Sequence, residues 1–302
     1  MSIRINWVNP NPNFDKIHIY RSTTKIDINA LPTALATITT GTTYLDTTSV
    51  ANTLYWYAVG VEYDGDIIVS VLEPAIQLLD FGPGPKELLC GDMNRGYFGS
   101  LTADEFVSYA TLASFYGLAV TPTVPLGNQL WLKFAYGGKI LFMPQGRVCD
   151  SVSYGALYSG GLVFGVDGPG IKPSGQVDTN QRKVYSVGDS DFLVRCARGG
   201  INPLYGYVTN ADSEINSCIH ALIQHDQVSP ARQIGFAGYP VTAFSWASNT
   251  QVYSQSWLME NNGTTAAFIA SIHNTLASTA STSMNTPLGW RPVLELIQPI
   301  GA

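Results

Sequence analysis

The sequence predicts a mainly β protein in two parts, a small β-sandwich followed by a larger α+β domain. Three observations carry this expectation. Short β-prone runs separated by turn residues fill positions 1–80. A Pro/Gly cluster, Phe81-Gly82-Pro83-Gly84-Pro85, then interrupts the chain; two prolines and two glycines cannot continue a central strand or a helix. Finally, charged residues make up only 13% of the chain against 45% hydrophobic, and Thr, Ser, Asn and Gln carry most of the polarity. Such uncharged polar groups suit β surfaces and turns, and the balance belongs to folded globular chains. A length of 302 residues is enough for two cores.

The first part is read as five strands in order: residues 3–7, 16–21, 35–38, 44–47 and 54–61. In the last of these Tyr55, Tyr57, Val59 and Val61 alternate onto one face while Trp56 and Ala58 take the other, the period-two signature of half-buried strands. Asn9-Pro10-Asn11-Pro12-Asn13 and Asp64-Gly65 are turn clusters that reverse the chain. Residues 81–86 are expected to be a linker and residues 87–302 the second domain.

Within that domain Thr102-Ala103-Asp104-Glu105 has capping-box spacing. Phe106, Tyr109, Ala110, Ala113 and Tyr116 follow at helical intervals before Gly117, which predicts a helix. Asp212-Ser213-Glu214 opens a second helix whose stripe is Ile215, Ile219, Leu222 and Ile223, ending near His225. Strands are expected over 130–134, 139–143, 192–196 and 292–297, the first two joined through Gly137-Gly138 by a primed turn. Residues 165–175 and 271–286, rich in small and polar side chains, are expected to be loops.

A net charge of -6 and a pI near 5.1, without a basic stripe, argue against capture of nucleic acid through its phosphates. No apolar run reaches the ~20 residues of a membrane span, and the amino-terminal residues lack the apolar core of a secretory signal. These features predict a soluble chain made in a cytoplasm, with no membrane insertion. Cys90, Cys149, Cys196 and Cys218 lack the close spacing of a zinc or CxxC site, so reduced thiols are expected.

Candidate chemical groups are sparse. His18, His220, His225 and His273 are framed by no nucleophile elbow or family cysteine signature, and are read as structural or surface residues. Cys218 and His220, two positions apart on a helix, face different ways and cannot jointly hold one ion. Asp189, Asp191, Asp212 and Glu214 lack the calcium-loop pattern and are read as a solvated loop and a helix start. No catalytic residue, cofactor or metal is assigned. Aromatics are usually core, as expected for Trp131, Tyr136 and Trp290; Trp246, Tyr253 and Trp257, set among Ser, Asn and Gln, are the candidates for a contact surface.

Residues 1–80 resemble a fibronectin type III domain. The carriers are Trp7, the IYRS strand at 19–22, YLDTT at 44–48 and YWYAVGV at 55–61. The resemblance implies that Tyr55 is a tyrosine corner, its ring buried and its hydroxyl bonded to backbone. The first strand of that family is short or missing here, which leaves a sheet edge open to another chain.

Residues 83–302 resemble a recurrent domain of tailed-bacteriophage and prophage virion proteins, through GDMNRGYFGSL at 91–101, LWLKFAYGGKILFMP at 130–144, SVSYGALYSGGLVFG at 151–165 and GWRPVLELI at 289–297. SVSYGALY, FLVRCARGG at 192–200 and GWRPVLEL are also similar to the C-type-lectin-like fold of formylglycine-generating-enzyme relatives and phage tropism proteins. The resemblance implies a virion structural protein of tail, collar or capsid surface, made in the host bacterial cytoplasm. It would assemble with other virion proteins, as a homo-oligomer. Two alternatives stay open: a receptor-binding adhesin for host surface glycan or protein, and an enzyme on the formylglycine-generating-enzyme-like fold. That enzyme family uses a cysteine pair near its carboxyl end, whereas no cysteine follows Cys218; what could be inherited is the fold, which does not carry function with it.

Overall fold

The structure is a computed structural model and describes residues 2–9, 13–119, 129–199, 213–214, 217–218, 256–261, 266–271 and 278–299. It is mainly β, with several antiparallel sheets. The chain divides into two compact units, Met1–Asp80 with Asp92–Asn94 and Gln298–Ala302 in the first, and Phe81–Gly91 with Arg95–Ile297 in the second.

In the first unit β1 (Ile3–Asn6) pairs with β4 (Thr43–Asp46), while β2 (Lys16–Ser22), β3 (Ala34–Ile38), β5 (Trp56–Tyr63) and β6 (Asp66–Val71) form a four-stranded sheet in the order β3-β2-β5-β6. Alternation decides which side chains are buried: Ile3, Ile5 and Trp7 from one layer meet Ile17, Ile19, Tyr57 and Val59 from the other. Each such side chain contributes roughly 1.5–3 kcal/mol by leaving water. The turn between β5 and β6 places both Asp64 (φ 49°) and Gly65 (φ 86°) in the left-handed region, the geometry a two-residue primed hairpin requires. Asp46 is fully buried and braces the two layers, accepting from Arg21 Nη1 at 2.7 Å and Tyr57 Oη at 2.8 Å. The Tyr55 ring is buried, and the Val50 N–H donates to its hydroxyl at 3.3 Å. The unit is closed by Gln298, whose side-chain oxygen accepts from the N–H groups of Leu79 and Asp80 at 3.2 and 3.0 Å and whose amide donates to Asp80 O at 2.7 Å.

The second unit contains a seven-stranded and a five-stranded sheet. The larger joins β7 (Cys90–Gly91), β8 (Arg95–Thr102), β9 (Leu130–Tyr136), β10 (Lys139–Pro144), β12 (Lys183–Val187), β13 (Ser190–Cys196) and β18 (Pro292–Leu296) in the order β12-β13-β18-β10-β9-β8-β7. The smaller joins β11 (Cys149–Val152), β14 (Ser256–Asn261), β15 (Ala266–Ser271), β16 (Ser278–Ser283) and β17 (Leu288–Trp290) in the order β11-β17-β14-β15-β16. Among the described residues two short helices, α1 (Tyr109–Phe115) and α2 (Tyr154–Ser159), start at the serine caps Ser108 and Ser153. Phe106 packs against Phe142, Trp131 and Phe192 with ring centroids 4.8, 5.1 and 5.1 Å away, an edge-rich cluster at the core of the large sheet.

Three sequence expectations change in this unit. The helix expected from position 102 begins only at Tyr109, because β8 runs through Thr102 and Phe106 is drawn into the aromatic core. The capping-box contacts do form, Glu105 accepting from the Thr102 N–H at 2.7 Å, but they close a turn. Residues 81–86 are not a bare spacer. Phe81–Gly91 belongs to the second unit, where the fully buried Lys133 ammonium donates to Pro83 O at 3.0 Å and to Pro85 O, between the Phe98 and Phe142 rings. Part of the loop expected over 271–286 is strand β16. The second expected helix falls almost wholly outside the described residues, apart from helical positions at Glu214 and 217–218.

Candidate functional site: an uncovered edge and groove on the first unit

Residues directly opposite in an antiparallel pair point to the same face. Across β5 and β6 the pairs are Val59↔Ser70, Val61↔Ile68 and Tyr63↔Asp66. Val59 is in the core, so this row is the inner face of the sandwich. Yet Ile68 is 77% exposed and Tyr63 53% exposed. The cause is a shortage of strands opposite: among the described residues four strands face two, and β1 is one of the two edges of the smaller layer. A groove of about 370 Å³ results, lined by Trp7, Val8, Val61, Tyr63, Asp66 and Ile68 among others, with Val8 itself 90% exposed. Trp7 Nε1 is buried beside it without an acceptor among the described residues.

The backbone of β1 faces the same way. Trp7 N donates to Thr42 O at 3.1 Å, continuing the ladder in which Ile3 and Ile5 lie opposite Asp46 and Tyr44. Bonded and non-bonded pairs alternate along an antiparallel ladder. The N–H and C=O groups of Arg4 and Asn6 therefore point away from β4, and among the described residues no strand lies on that side.

Other polar groups serve the fold. On β2, His18 Nε2 lies 2.7 Å from Glu62 Oε2 and Nδ1 lies 3.0 Å from Thr37 Oγ1. The contacts from His18 and Lys16 hold the Glu62 carboxyl below the usual carboxylate range. In the second unit the buried Arg195 is bidentate to Glu214, at 2.8 and 2.7 Å, and reaches Glu295 at 2.9 and 3.1 Å. Burial pulls the Arg195 pKa down, but Glu214 and Glu295 more than reverse this, so the guanidinium stays charged; burial pushes the Glu295 carboxyl up, but Arg195 and Lys139 hold it low. Arg195 and Glu214 are both almost fully buried, Glu214 also accepts from the Arg198 N–H at 2.8 Å, and the partly exposed Glu295 continues the network to Lys139 at the surface.

Cys90, Cys149, Cys196 and Cys218 form no disulfide with one another. Burial raises the Cys90 thiol to about 11 and the Cys218 thiol well above its ordinary value. Among the described residues no group of His, Cys, Asp or Glu is placed to hold a metal ion.

Of the three aromatics expected at a contact surface, Trp257 is fully buried, its Nε1 donating to Val152 O at 2.8 Å and its ring packed edge-on to Tyr154. That expectation is corrected: Trp257 lies in β14, whose place in the sheet turns it inward. Trp246 and Tyr253, with His220, His225 and His273, lie outside the described residues. Glu214, read as a solvated helix start, is instead the buried partner of Arg195. Trp131 and Trp290 are core, as expected, and Tyr136 is half-buried. Sequence reading missed the groove because Ile68 looks like any strand residue until its opposing layer is seen to be absent. It also missed the ion centre, although a signal existed: Lys133, Arg195 and Glu295 each interrupt an apolar strand run, and a lone charge there needs a buried partner.

Comparison with family models, with curated proteins and with solved structures finds no match.

Proposed function

We propose that the chain is a bacteriophage virion structural protein, an appendage of tail, collar or capsid surface that works by protein–protein assembly, with a fibronectin type III-like first unit and a second unit of the phage appendage kind, C-type-lectin-like in fold. The observation that carries this reading is the first unit's open β1 edge lying beside an apolar groove. Edges and exposed apolar patches of this kind are where chains pair, and monomeric proteins normally cover them. The buried Tyr55 with its backbone-bonded hydroxyl supports the fibronectin-type assignment. In the second unit the charged groups Lys133, Arg195 and Glu214 are committed to internal pairing. The burial of Trp257 takes one aromatic away from the alternative of glycan recognition.

Mass spectrometry of purified infectious particles tests the reading. The polypeptide is expected at a fixed ratio to the major virion proteins. Its absence from particles, or turnover of any compound by the pure protein, overturns it.

A further inference from the structure

We infer that the groove of the first unit is a strand-acceptor site: an extended segment of a partner protein adds to the β1 edge and lays alternate aliphatic side chains over Ile68. The inference rests on the assembly reading and names the way a partner is held.

Two independent shortages coincide at this place. Among the described residues the backbone lacks a neighbour, since Arg4 and Asn6 present N–H and C=O groups to the side of β1 away from β4. The inner face of β6 lacks a cover, since Ile68 lies on the core side of its sheet yet is 77% exposed. One added strand remedies both. Its backbone continues the β4–β1 ladder, and its inward side chains occupy the groove of about 370 Å³, which falls in the range of pockets that take a few apolar groups. A compact ligand would satisfy the groove alone. A strand satisfies groove and edge together, the usual chemistry of β-augmentation.

The charges at the site define the segment further. Arg4 stands exposed on the outer face of β1 and Asp66 closes the inner row of β6, and neither has an ion-pair partner among the described residues. Opposite charges on adjacent strands are favourable and like charges are not. The partner segment therefore alternates aliphatic with polar residues, carries a carboxylate on its outer face beside Arg4, and carries a basic residue on its inner face at the Asp66 end. A second copy of this chain pairing through β1 does not meet the requirement. Its Ile3, Ile5 and Trp7 are already engaged in its own core and supply nothing to the groove.

The test uses the full chain and two fluorescent probe peptides, Lys-Thr-Val-Thr-Ile-Glu-Val and the same residues in reverse order, so that either strand direction is sampled. Saturable binding of one peptide by fluorescence anisotropy is expected. The Ile68→Arg variant, which places a charge in the groove, and the Asn6→Pro variant, which removes an outward N–H without touching the β1–β4 bonds, should each weaken it by at least about tenfold. A peptide with Lys and Glu exchanged should bind more weakly. Hydrogen exchange supplies the readout specific to strand addition: bound peptide protects the Arg4 and Asn6 amides, while the Ile5 amide, on the β4 side, is unchanged. Absence of binding by both peptides, undiminished binding to Ile68→Arg, or binding without protection of Arg4 and Asn6 overturns the inference. So does a dimer in sedimentation equilibrium that Asn6→Pro dissociates, which would make a second copy the occupant. Each of these outcomes leaves the presence of the chain in particles to be decided separately.

Discussion

Arg195 is held by two carboxylates inside the second unit, and removing either should show what an uncompensated charge costs. Glu214→Gln removes the bidentate partner and leaves the buried guanidinium with Glu295 alone, a carboxylate it shares with Lys139. We expect a loss of about 3–5 kcal/mol in chemical denaturation, the range for broken buried pairs. A double variant, Arg195→Met with Glu214→Leu, should recover much of that loss, since exchanging a buried ion pair for apolar groups of similar size is often close to neutral. In the first unit, burial pushes the Asp46 carboxyl up, but hydrogen bonds from Tyr57, Thr48 and Arg21 outweigh it and leave the pKa depressed. A depressed folded-state pKa gives stability that is present above the unfolded value near ~4 and is lost as pH falls through the folded value. Stability of the first unit, followed by hydrogen exchange at β2 and β5 amides, should therefore fall on acidification below about pH 4. Asp46→Asn should lower it at neutral pH and flatten that dependence. Residue roles of this sort were partly legible: charges inside apolar runs announce a partner, but a partner such as Glu214, distant in sequence and set among polar neighbours, is identified only by the fold.

Elements whose punctuation is local were readable from sequence. The β9–β10 hairpin follows from Gly137-Gly138, which adopt φ of 57° and 77°, and the reversal after β5 from Asp64-Gly65, although the strand β6 that follows that turn is not among the strands expected. Elements decided by tertiary packing were not. Phe106 fits the helical spacing of α1 and also the aromatic cluster, and the cluster wins because it buries a whole ring between Trp131, Phe142 and Phe192. Residues 81–86 looked like a spacer because proline and glycine dominate them; the buried Lys133 that anchors them lies some fifty positions later. Gly84 there has φ of 74°, and a Cβ at that position would run into the Leu101 side chain. Gly84→Ala should cost about 1–3 kcal/mol through backbone strain and crowding, measured as a shifted denaturation midpoint. Trp257 shows the opposite error. Polar neighbours in sequence suggested a surface loop, while strand pairing in β14 turned the ring inward.

At the scale of the whole molecule, both units carry cores of their own, and burial in them governs how reactive the side chains are. The thiols illustrate this: with Cys149, Cys196 and Cys218 buried and Cys90 raised to about 11, alkylation of the native protein at neutral pH should be slow and should quicken sharply on unfolding. The first unit is discontinuous, since residues 1–80 are closed by a segment beginning at Gln298. Gln298→Ala removes the bonds to Asp80 N and Asp80 O and leaves Leu79 N to Asn52 Oδ1 alone, and should lower protection of first-unit amides by roughly 1–3 kcal/mol. That clasp also sets an order of events during synthesis. The sandwich strands are made first, but their last hydrogen bonds wait for residue 298, so the amino-terminal fold stays unfinished while the whole of the second unit is being synthesised.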